Sequence, residues 1–348
     1  MNFIKYLPER MICKNEKYVI GYKKGLLIVR DSKTKEIIRK RRIHPFYESM
    51  LLIERLLRIG PRAAVFLSIE KMIYSDHGLI YRYDILDDKI NVEHKFSKGM
   101  NNPLQFCKTL FQEGEDCEIL YGEYIWNTDK GPVSIWRRNE KEKWEEIYQF
   151  PPNTITHIHN IIYDKYREKY IILTGDEDSE SAIWQASRDF SQVDRLVGGE
   201  QKYRACVAFP TRAGLIYATD TPLESNRLMY LNTKSETEKI QDIPGPVIYG
   251  TVKENYLYFA TSVEGNPKLG GWRYRLSNKL GPGIKDRRVH VFRCNQEGKL
   301  EEILSFKKDN YPMWLFQFGN GLFPDNDEDS VYICPQSCCE KGTYRVNE

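Results

Sequence analysis

The sequence predicts an all-β fold, a single β-propeller in which seven blades are favoured over six. Nearly all of the 348 residues read as short strands separated by Gly, Pro, Asn and Asp turns. A strand–turn–strand unit recurs with a period of roughly 45 residues. No Pro/Gly/Ser-rich linker divides the chain, which counts against the alternative of two β-sandwich domains. The prediction is therefore one domain over residues 1–348.

The recurring unit is the outer hairpin of a blade, in which two strands flank a polar turn. It is read in LIYRYDILDDKI, VSIWRRNEKEKWEEIYQF, SAIWQASRDFSQVDRLV, NRLMYLNTKSETEKIQDI and VHVFRCNQEGKLEEILSF. An inner strand pair precedes each hairpin, and a further pair at 314–333 gives six blades. Residues 17–43 supply a seventh. An N-terminal strand over 3–7, paired beside 342–346, would close the ring and remove exposed sheet edges.

Two other local patterns complete the predicted architecture. Apolar residues at a three-to-four spacing in ESMLLIERLLRI predict one short helix near residues 48–59, which Gly60 and Pro61 end. The outer hairpins carry degenerate Asp-box turns, in Ser187-Arg188-Asp189 and in the stretch from Asn139 to Trp144. There the Asp or Asn side chain bonds its own backbone, and we expect a structural role for both turns.

Composition excludes several classes of function. The 52 basic and 49 acidic residues leave a net charge of +3, which gives no global field for nucleic acid or membrane. The run Arg39-Lys40-Arg41-Arg42 is interpreted as a solvated strand end, and no span of about 18 apolar residues is present. The N-terminus lacks the apolar core of a signal peptide, so we predict a cytoplasmic protein with free thiols in its eight cysteines.

Propeller geometry predicts where functional residues meet. The starts of first strands and the ends of second strands lie at one face, so their polar side chains should ring one funnel. The predicted catalytic residues are His157, His159, Tyr203, Asp176 and Tyr249. The predicted substrate-binding residues are Arg204, Glu123, Trp126, Asn127, Asp220, Glu224, His77, Arg62 and Trp314. Residues 265–285 form a long loop over this funnel.

Each group has alternatives. His157 and His159 point the same way along a strand and are read as catalytic or ligand-binding; a structural pair or metal ligands are the other possibilities. No cofactor is predicted, and a divalent metal at His157, His159 and Asp176 is the less favoured reading. Arg204 is suited to a sugar carboxylate, although an inter-blade ion pair is equally open. The acidic loop and the aromatic residues could serve solvation and packing instead.

The runs GEYIWN, PVSIW, HIHNIIYDKYREKYIILTGDEDSESAIW, GGEQKYRA, IYATDTPLESN and PGPVIYG resemble those of a group of sialidase-superfamily, BNR/Asp-box-like propellers. The resemblance extends over most of the chain and is densest between residues 120 and 250. Genes for this uncharacterised group often stand beside genes for bacterial surface-polysaccharide synthesis. It implies a bacterial or archaeal propeller with a carbohydrate partner. The sialidase arginine triad has no counterpart here, so sialidase activity is not implied.

Two functions from different classes follow. The first is a carbohydrate-active propeller that acts on an acidic, uronate-containing polysaccharide or oligosaccharide. A lyase would use a His or Tyr base with Arg204, and a hydrolase would use two carboxylates from Asp176, Asp220, Glu123 and Glu224. The second is a propeller without catalysis that binds a glycan or scaffolds polysaccharide biosynthesis. Nucleic acid and a membrane span are not expected.

Overall fold

The computed structural model describes residues 2–109 and 117–347. Over these residues the chain is an all-β, seven-bladed β-propeller, as the sequence predicts. The chain divides into two compact units, Pro61–Cys206 and the combination of Met1–Gly60 with Val207–Glu348. They are called the middle unit and the terminal unit below. A single domain over 1–348 stays a prediction.

The strands follow one another in the order β1 (Asn2–Leu7), β2 (Arg10–Lys14), β3 (Tyr18–Lys23), β4 (Leu26–Asp31), β5 (Ile37–Arg42), β6 (Ala64–Phe66), β7 (Lys71–Asp76), β8 (Leu79–Asp84), β9 (Lys89–Lys95), β10 (Cys107–Thr109), β11 (Glu118–Gly122), β12 (Val133–Arg138), β13 (Trp144–Phe150), β14 (Ile158–Asp164), β15 (Lys169–Thr174), β16 (Ala182–Ala186), β17 (Val193–Gly198), β18 (Ala205–Thr211), β19 (Gly214–Thr219), β20 (Asn226–Asn232), β21 (Thr237–Ile243), β22 (Val247–Lys253), β23 (Tyr256–Thr261), β24 (Arg288–Asn295), β25 (Leu300–Lys307), β26 (Asn320–Leu322), β27 (Asp325–Asn326), β28 (Val331–Gln336) and β29 (Thr343–Asn347). Two short α-helices, α1 (Leu51–Leu56) and α2 (Gly271–Leu276), interrupt them. Single 3-10 turns lie at Tyr47–Ser49, Gln201–Tyr203 and Pro267–Leu269.

The middle unit holds three blades, and each is a four-stranded antiparallel sheet in sequence order. The sheets are β6 to β9, β10 to β13, and β14 to β17. In the third of these blades β14 and β15 are mostly buried, whereas the outermost strand, β17, is partly exposed. The buried residues of the second and third blades pack into one cluster that includes Leu120, Ile135 and Ile172. This packing fixes the ends of β11, β14 and β15 next to one another.

The terminal unit holds the other sheets. β18 to β21 and β22 to β25 are four-stranded in sequence order, and a five-stranded sheet has the order β27-β2-β3-β4-β5. The remaining sheet has the order β1-β29-β28-β26, in which the first strand of the chain pairs antiparallel with the last one, with Phe3 opposite Val346. Burial again decreases from the inner strands to the outer ones. Every residue of β19 is buried, whereas in β21 only the last residue is buried. The inner strands are nonpolar because both of their faces are buried, and the outer strands are polar because they meet solvent.

The outer turns are structural, as the sequence predicts. Asn139 Oδ1 accepts hydrogen bonds from the backbone N–H groups of Lys141 and Lys143, both at 3.0 Å. The Ser187–Asp189 turn is held by bonds between its own side chains, with Ser187 Oγ donating to Asp189 Oδ1 at 2.7 Å. Trp144 packs against His94 and donates from Nε1 to Glu93 at 3.0 Å. These side chains are occupied in holding hairpins.

The helices depart from the sequence prediction. Helix α1 covers only six residues of the predicted 48–59 stretch, and a second helix, α2, lies inside the predicted long loop. Gly270 and Gly271, both at positive φ, begin α2, and six residues are too few to show a helical period in the sequence. No helix in the described part of the chain combines the length and apolar character needed to cross a membrane.

Candidate functional site

A buried pair of imidazoles forms the centre of the candidate site in the middle unit. His157 immediately precedes β14 and His159 lies within it, at a bulge where the register with β15 shifts between Ile158 and Asn160. The bulge turns both rings to one side, and their Nε2 atoms lie 3.0 Å apart. Only 5% of His157 and 3% of His159 is exposed.

Asp176 and Arg204 complete this cluster, which we call the His–Asp–Arg cluster. Asp176 follows β15, and its carboxylate lies 3.6 Å from His157 Nε2, 3.4 Å from His159 Nε2 and 2.8 Å from Arg204 Nη2. Arg204 immediately precedes β18. The predicted proximity of a first-strand start, a second-strand end and the next blade's start is thus confirmed for these four residues. Their functional roles stay predictions.

Gly175 makes room for this arrangement. A Cβ atom at this position would lie 3.2 Å from Cγ of Arg204 and 3.1 Å from Oγ of Ser181. The backbone here has a φ of 156°, which disfavours a side chain as well. Behind it, Gln201 Nε2 donates to the carbonyl oxygen of Asp176 at 2.8 Å. The loop is therefore held so that the Asp176 carboxylate meets the two imidazoles.

The hydrogen bonds assign the protons of the pair. His159 Nδ1 lies 3.0 Å from the carbonyl oxygen of Ala205, which can only accept, so Nδ1 carries the proton. In neutral His159 the Nε2 atom is then an acceptor, and His157 Nε2 donates to it. Burial lowers the pKa of His157, and the charges of His159 and Arg204 act in the same direction against the hydrogen bond to Asp176. Burial therefore favours the neutral form of His157.

Asp176 is an ionised carboxylate. Burial alone would raise its pKa, but the hydrogen bond from His157 together with the positive charge of Arg204 holds the pKa of Asp176 well below its usual range. Its side chain is 43% exposed, so this oxygen pair is the part of the cluster that solvent reaches most easily. The Asp176 carboxylate is thus the most exposed part of the cluster, whereas the Arg204 side chain is 17% exposed and both rings are buried.

The same three side chains could hold a divalent metal. One ligand atom each from His157, His159 and Asp176 lies within 4.8 Å of the others. Two imidazole nitrogens and one carboxylate oxygen suit Zn²⁺ or a first-row transition metal. The absence of a cofactor, with a divalent metal at these three residues as the less favoured alternative, stays a prediction.

Tyr124 is a neighbour that the sequence analysis missed. Its ring meets that of His157 edge-on, with 4.6 Å between the centroids, and lies 6.2 Å from the His159 ring. Tyr124 is partly exposed, and Trp126, two residues later, is 88% exposed. The sequence did carry a signal for Tyr124, because it follows β11 and lies between the predicted site residues Glu123 and Trp126. Tyr124 gives the site an aromatic ring of the kind that suits sugar rings, and the exposed Trp126 follows it by two residues.

Glu123 and Asn127 have structural contacts. Glu123 is buried and accepts hydrogen bonds from Ser97, from the backbone N–H of Ser134 at 2.9 Å and from Trp136 Nε1 at 3.2 Å. Asn127 closes a turn through two bonds of 2.9 Å with Gly131. Both side chains are therefore occupied by hydrogen bonds that hold the surrounding structure. Their predicted role in substrate binding is not tested by these contacts and stays a prediction.

The other predicted residues of the middle unit lie outside the His–Asp–Arg cluster. His77 is an exposed turn residue at positive φ whose Nδ1 lies 2.6 Å from Asp76 Oδ1. The backbone N–H of Arg62 donates to the carbonyl oxygen of Ser75. Tyr203 is the last residue of the 3-10 turn that precedes Arg204, and the Lys202 ammonium lies over its ring. Of these, Tyr203 is the only one adjacent in sequence to a cluster residue.

Four predicted residues belong to the terminal unit and are described there alone. Tyr249 lies in β22 opposite Ala260, and Asp220 is buried directly after β19. The backbone carbonyl of Glu224 accepts from Asn226, and the Trp314 ring lies 4.7 Å from the Arg275 guanidinium. Their predicted roles stay predictions.

The lowered pKa of His157 gives a prediction for stability. Its folded pKa is below the unfolded value of about 6.5, so the unfolded chain binds the extra proton first as pH falls. Stability should therefore drop between about pH 7 and pH 5, with a slope of up to about 1.4 kcal/mol per pH unit from this residue. Asp176 acts lower: its contribution is present above an unfolded pKa of about 3.9 and is lost below it. Urea unfolding of wild type and His157→Gln across pH 5–8 measures the difference. A variant with the wild-type slope would contradict it.

Comparison with known proteins supports the fold. No protein-family model matches the chain, and no curated protein matches it. Among solved structures, an oligogalacturonate lyase from Vibrio parahaemolyticus is 9% identical with a TM-score of 0.56, over 99% of this chain and 96% of that one. The WD40 β-propeller domain of Doa1 is 10% identical with a TM-score of 0.54, over 99% and 98%. At such identities the likeness concerns the fold alone. The sialidase-superfamily resemblance rests on sequence motifs and stays a prediction.

Proposed function

We propose that the protein binds a uronate-containing glycan at the His–Asp–Arg cluster and cleaves it by β-elimination. The observation that carries the proposal is a buried imidazole pair with Nε2 atoms 3.0 Å apart, in contact with Asp176 and, through it, with Arg204. A lyase needs a base for the proton next to a carboxylate and a cation for the charge that develops on that carboxylate. Both are present within one cluster.

The step balances without a cofactor. An imidazole Nε2 takes the proton from C5 of the uronate, and the electron pair forms the C4–C5 double bond. The C4–O bond breaks, and the leaving oxygen takes a proton from water. Arg204 neutralises the substrate carboxylate as electron density moves onto that carboxylate. Because Arg204 also pairs with Asp176, the substrate carboxylate must share the guanidinium with Asp176 or displace it. Tyr124 and Trp126 would stack against the sugar rings.

Support from outside the cluster is of two kinds. One similar structure is titled an oligogalacturonate lyase, so a propeller of this fold is named for chemistry on uronates. The motifs resembling BNR-like propellers encoded beside surface-polysaccharide genes point to the same class of ligand. A cytoplasmic location and an anionic glycan partner belong to this proposal.

The test is direct. Purified protein incubated with oligogalacturonates should generate the ultraviolet absorbance of an unsaturated uronate, and neutral oligosaccharides of equal length should not. Arg204→Gln should lose this product, because the amide cannot neutralise the substrate carboxylate. Release of reducing ends without that absorbance would contradict elimination and favour hydrolysis.

Glycan binding without turnover is the second candidate, and one observation favours it. The imidazoles are almost wholly buried, and a general base must come within hydrogen-bond reach of its proton. Under this alternative, calorimetry would show binding of oligogalacturonates that depends on Arg204 and Trp126, while no product forms over long incubation.

A further inference from the structure

A second surface, in the terminal unit, exposes apolar side chains beside basic ones. It consists of β5, the segment from residue 43 to 58 that carries α1, and residues 266–279 that carry α2; we call it the basic apolar surface. We propose that it docks the protein onto an anionic lipid bilayer without spanning it. The argument rests on exposure, on charge and on the way the two helices are anchored.

Helix α1 has its polarity reversed for a surface helix. Arg55 is only 6% exposed, whereas Leu51, Leu56 and Leu57 are 52%, 45% and 55% exposed. Phe46 is 78% exposed and Trp272, on α2, is 69% exposed. The exposed large apolar residues of this surface are Ile37, Ile38, Phe46, Tyr47, Met50, Leu51, Leu52, Leu56, Leu57, Trp272 and Leu276. Apolar exposure concentrated in this way marks an interaction surface.

The charge of this surface is one-sided. Residues 37–58 include six Lys or Arg, of which only Arg55 is buried, and two Glu, and residues 266–279 include four Lys or Arg and no acidic residue. The whole chain is nearly balanced, at 52 basic and 49 acidic residues. The Arg39–Arg42 run, interpreted from sequence as a solvated strand end, is therefore one of two basic segments of this surface. The potential here favours an anionic partner.

The two helices share one support, so the surface is continuous. The segment 309–316 holds α1 through Arg55, whose Nε donates to the Phe316 carbonyl at 2.8 Å and whose Nη1 bonds Asp309 at 2.7 Å. The same segment holds α2, because Arg275 lies over the ring of Trp314. Arg58, directly after α1, is close enough to Tyr274 of α2 to influence its pKa.

A lipid bilayer accounts for both properties at once. Leu, Met, Phe and Trp beside Lys and Arg are the composition of segments that lie in a membrane interface. A second copy of the chain would set this surface against itself in a two-fold dimer and bring like charges together. Nucleic acid would satisfy the basic residues but leave the leucines without a partner.

The test uses the full chain and vesicles. The protein should float with vesicles of phosphatidylcholine and phosphatidylglycerol, much less with phosphatidylcholine alone, and weakly at about 0.5 M salt. The triple variant Lys40→Gln, Arg41→Gln, Arg273→Gln should bind on the order of 100-fold more weakly. The variant Leu51→Ser, Leu56→Ser, Leu57→Ser should lose binding as well. The Trp272 fluorescence should shift to the blue, and Trp272→Phe should remove that shift.

A matched control removes three equally exposed apolar residues elsewhere: Leu86→Ser, Val92→Ser, Leu223→Ser, which should float as wild type does. Three results would overturn the proposal: no flotation with anionic vesicles, flotation unchanged in both surface variants, or a reversible dimer that the leucine variant abolishes in the absence of vesicle binding. Capture of a short DNA duplex through the same basic residues, without vesicle binding, would also overturn it.

Discussion

Replacement of His159 by Asn is expected to lower kcat for uronate cleavage by about 10²–10⁴-fold, the range typical for loss of a general base. The reason lies in its hydrogen bonds: Nδ1 donates to the Ala205 carbonyl, so Nε2 is held as the acceptor that faces His157 and Asp176. An amide keeps the polarity but has no comparable basicity. The measurement is the initial rate of unsaturated product formation on oligogalacturonates under saturating substrate.

His94 provides the matched control. It is another partly buried imidazole of the middle unit, and its Nε2 lies 2.8 Å from the Tyr121 hydroxyl, within an aromatic cluster formed with Trp136 and Trp144. His94→Asn should reduce stability and leave kcat near that of wild type. If His159→Asn retains full kcat while its circular dichroism spectrum is unchanged, the pair is not the base, and the structural reading of the two histidines prevails.

The convergence of His157, Asp176 and Arg204 could be predicted because it depends on topology. In a blade of sequential antiparallel strands, the start of the first strand and the end of the second lie at one edge, whatever the side chains are. Strand alternation predicts that two residues at a spacing of two lie on one side, and the structure places both rings on one side at a register shift that interrupts the regular pairing. The sequence therefore located the cluster before any coordinates, although it could not identify its chemistry.

Contacts that depend on backbone atoms or on side-chain direction in loops could not be predicted. The proton position on His159 is decided by the carbonyl of Ala205, and any residue there would supply the same group. Glu123 has the residue type of a ligand-binding carboxylate but turns toward Ser97 and Trp136. Tyr124, its neighbour, faces His157 instead. No periodic rule applies to a loop, so these directions follow from packing alone.

Helix α1 illustrates a different limit. Apolar spacing of this kind is typical of a core-facing stripe, because in most surface helices the apolar face is the buried one. In α1 the buried side chain is instead Arg55, which an ion-pair network holds. Lys308 has no exposed side-chain area, and its Nζ lies 2.5 Å from Asp309, which also receives Arg55. Two cations therefore converge on one carboxylate, and together their charges hold the pKa of Asp309 below its usual range despite burial.

Replacement of Arg55 by Ala is expected to reduce the free energy of unfolding by about 1–3 kcal/mol, the usual cost of leaving a buried acceptor without its donor, because Lys308 still pairs with Asp309. The guanidinium bonds both Asp309 and the Phe316 carbonyl, and it lies over the ring of Tyr311, with 5.0 Å between its Cζ and the centroid. Its loss leaves a buried carbonyl oxygen without this donor, and it leaves α1 without its side-chain anchor. Urea unfolding at pH 7, with the midpoint and slope fitted together, gives the change.

Arg58→Ala is the control, since Arg58 is exposed and lies two residues after the end of α1. Substitutions at such positions usually change stability by less than about 0.5 kcal/mol. The comparison separates the buried contact from general loss of positive charge, because both variants remove one charge from the same surface. An Arg55→Ala protein as stable as Arg58→Ala would mean that the Asp309 network contributes no net stability, and the outward apolar face of α1 would then need another cause.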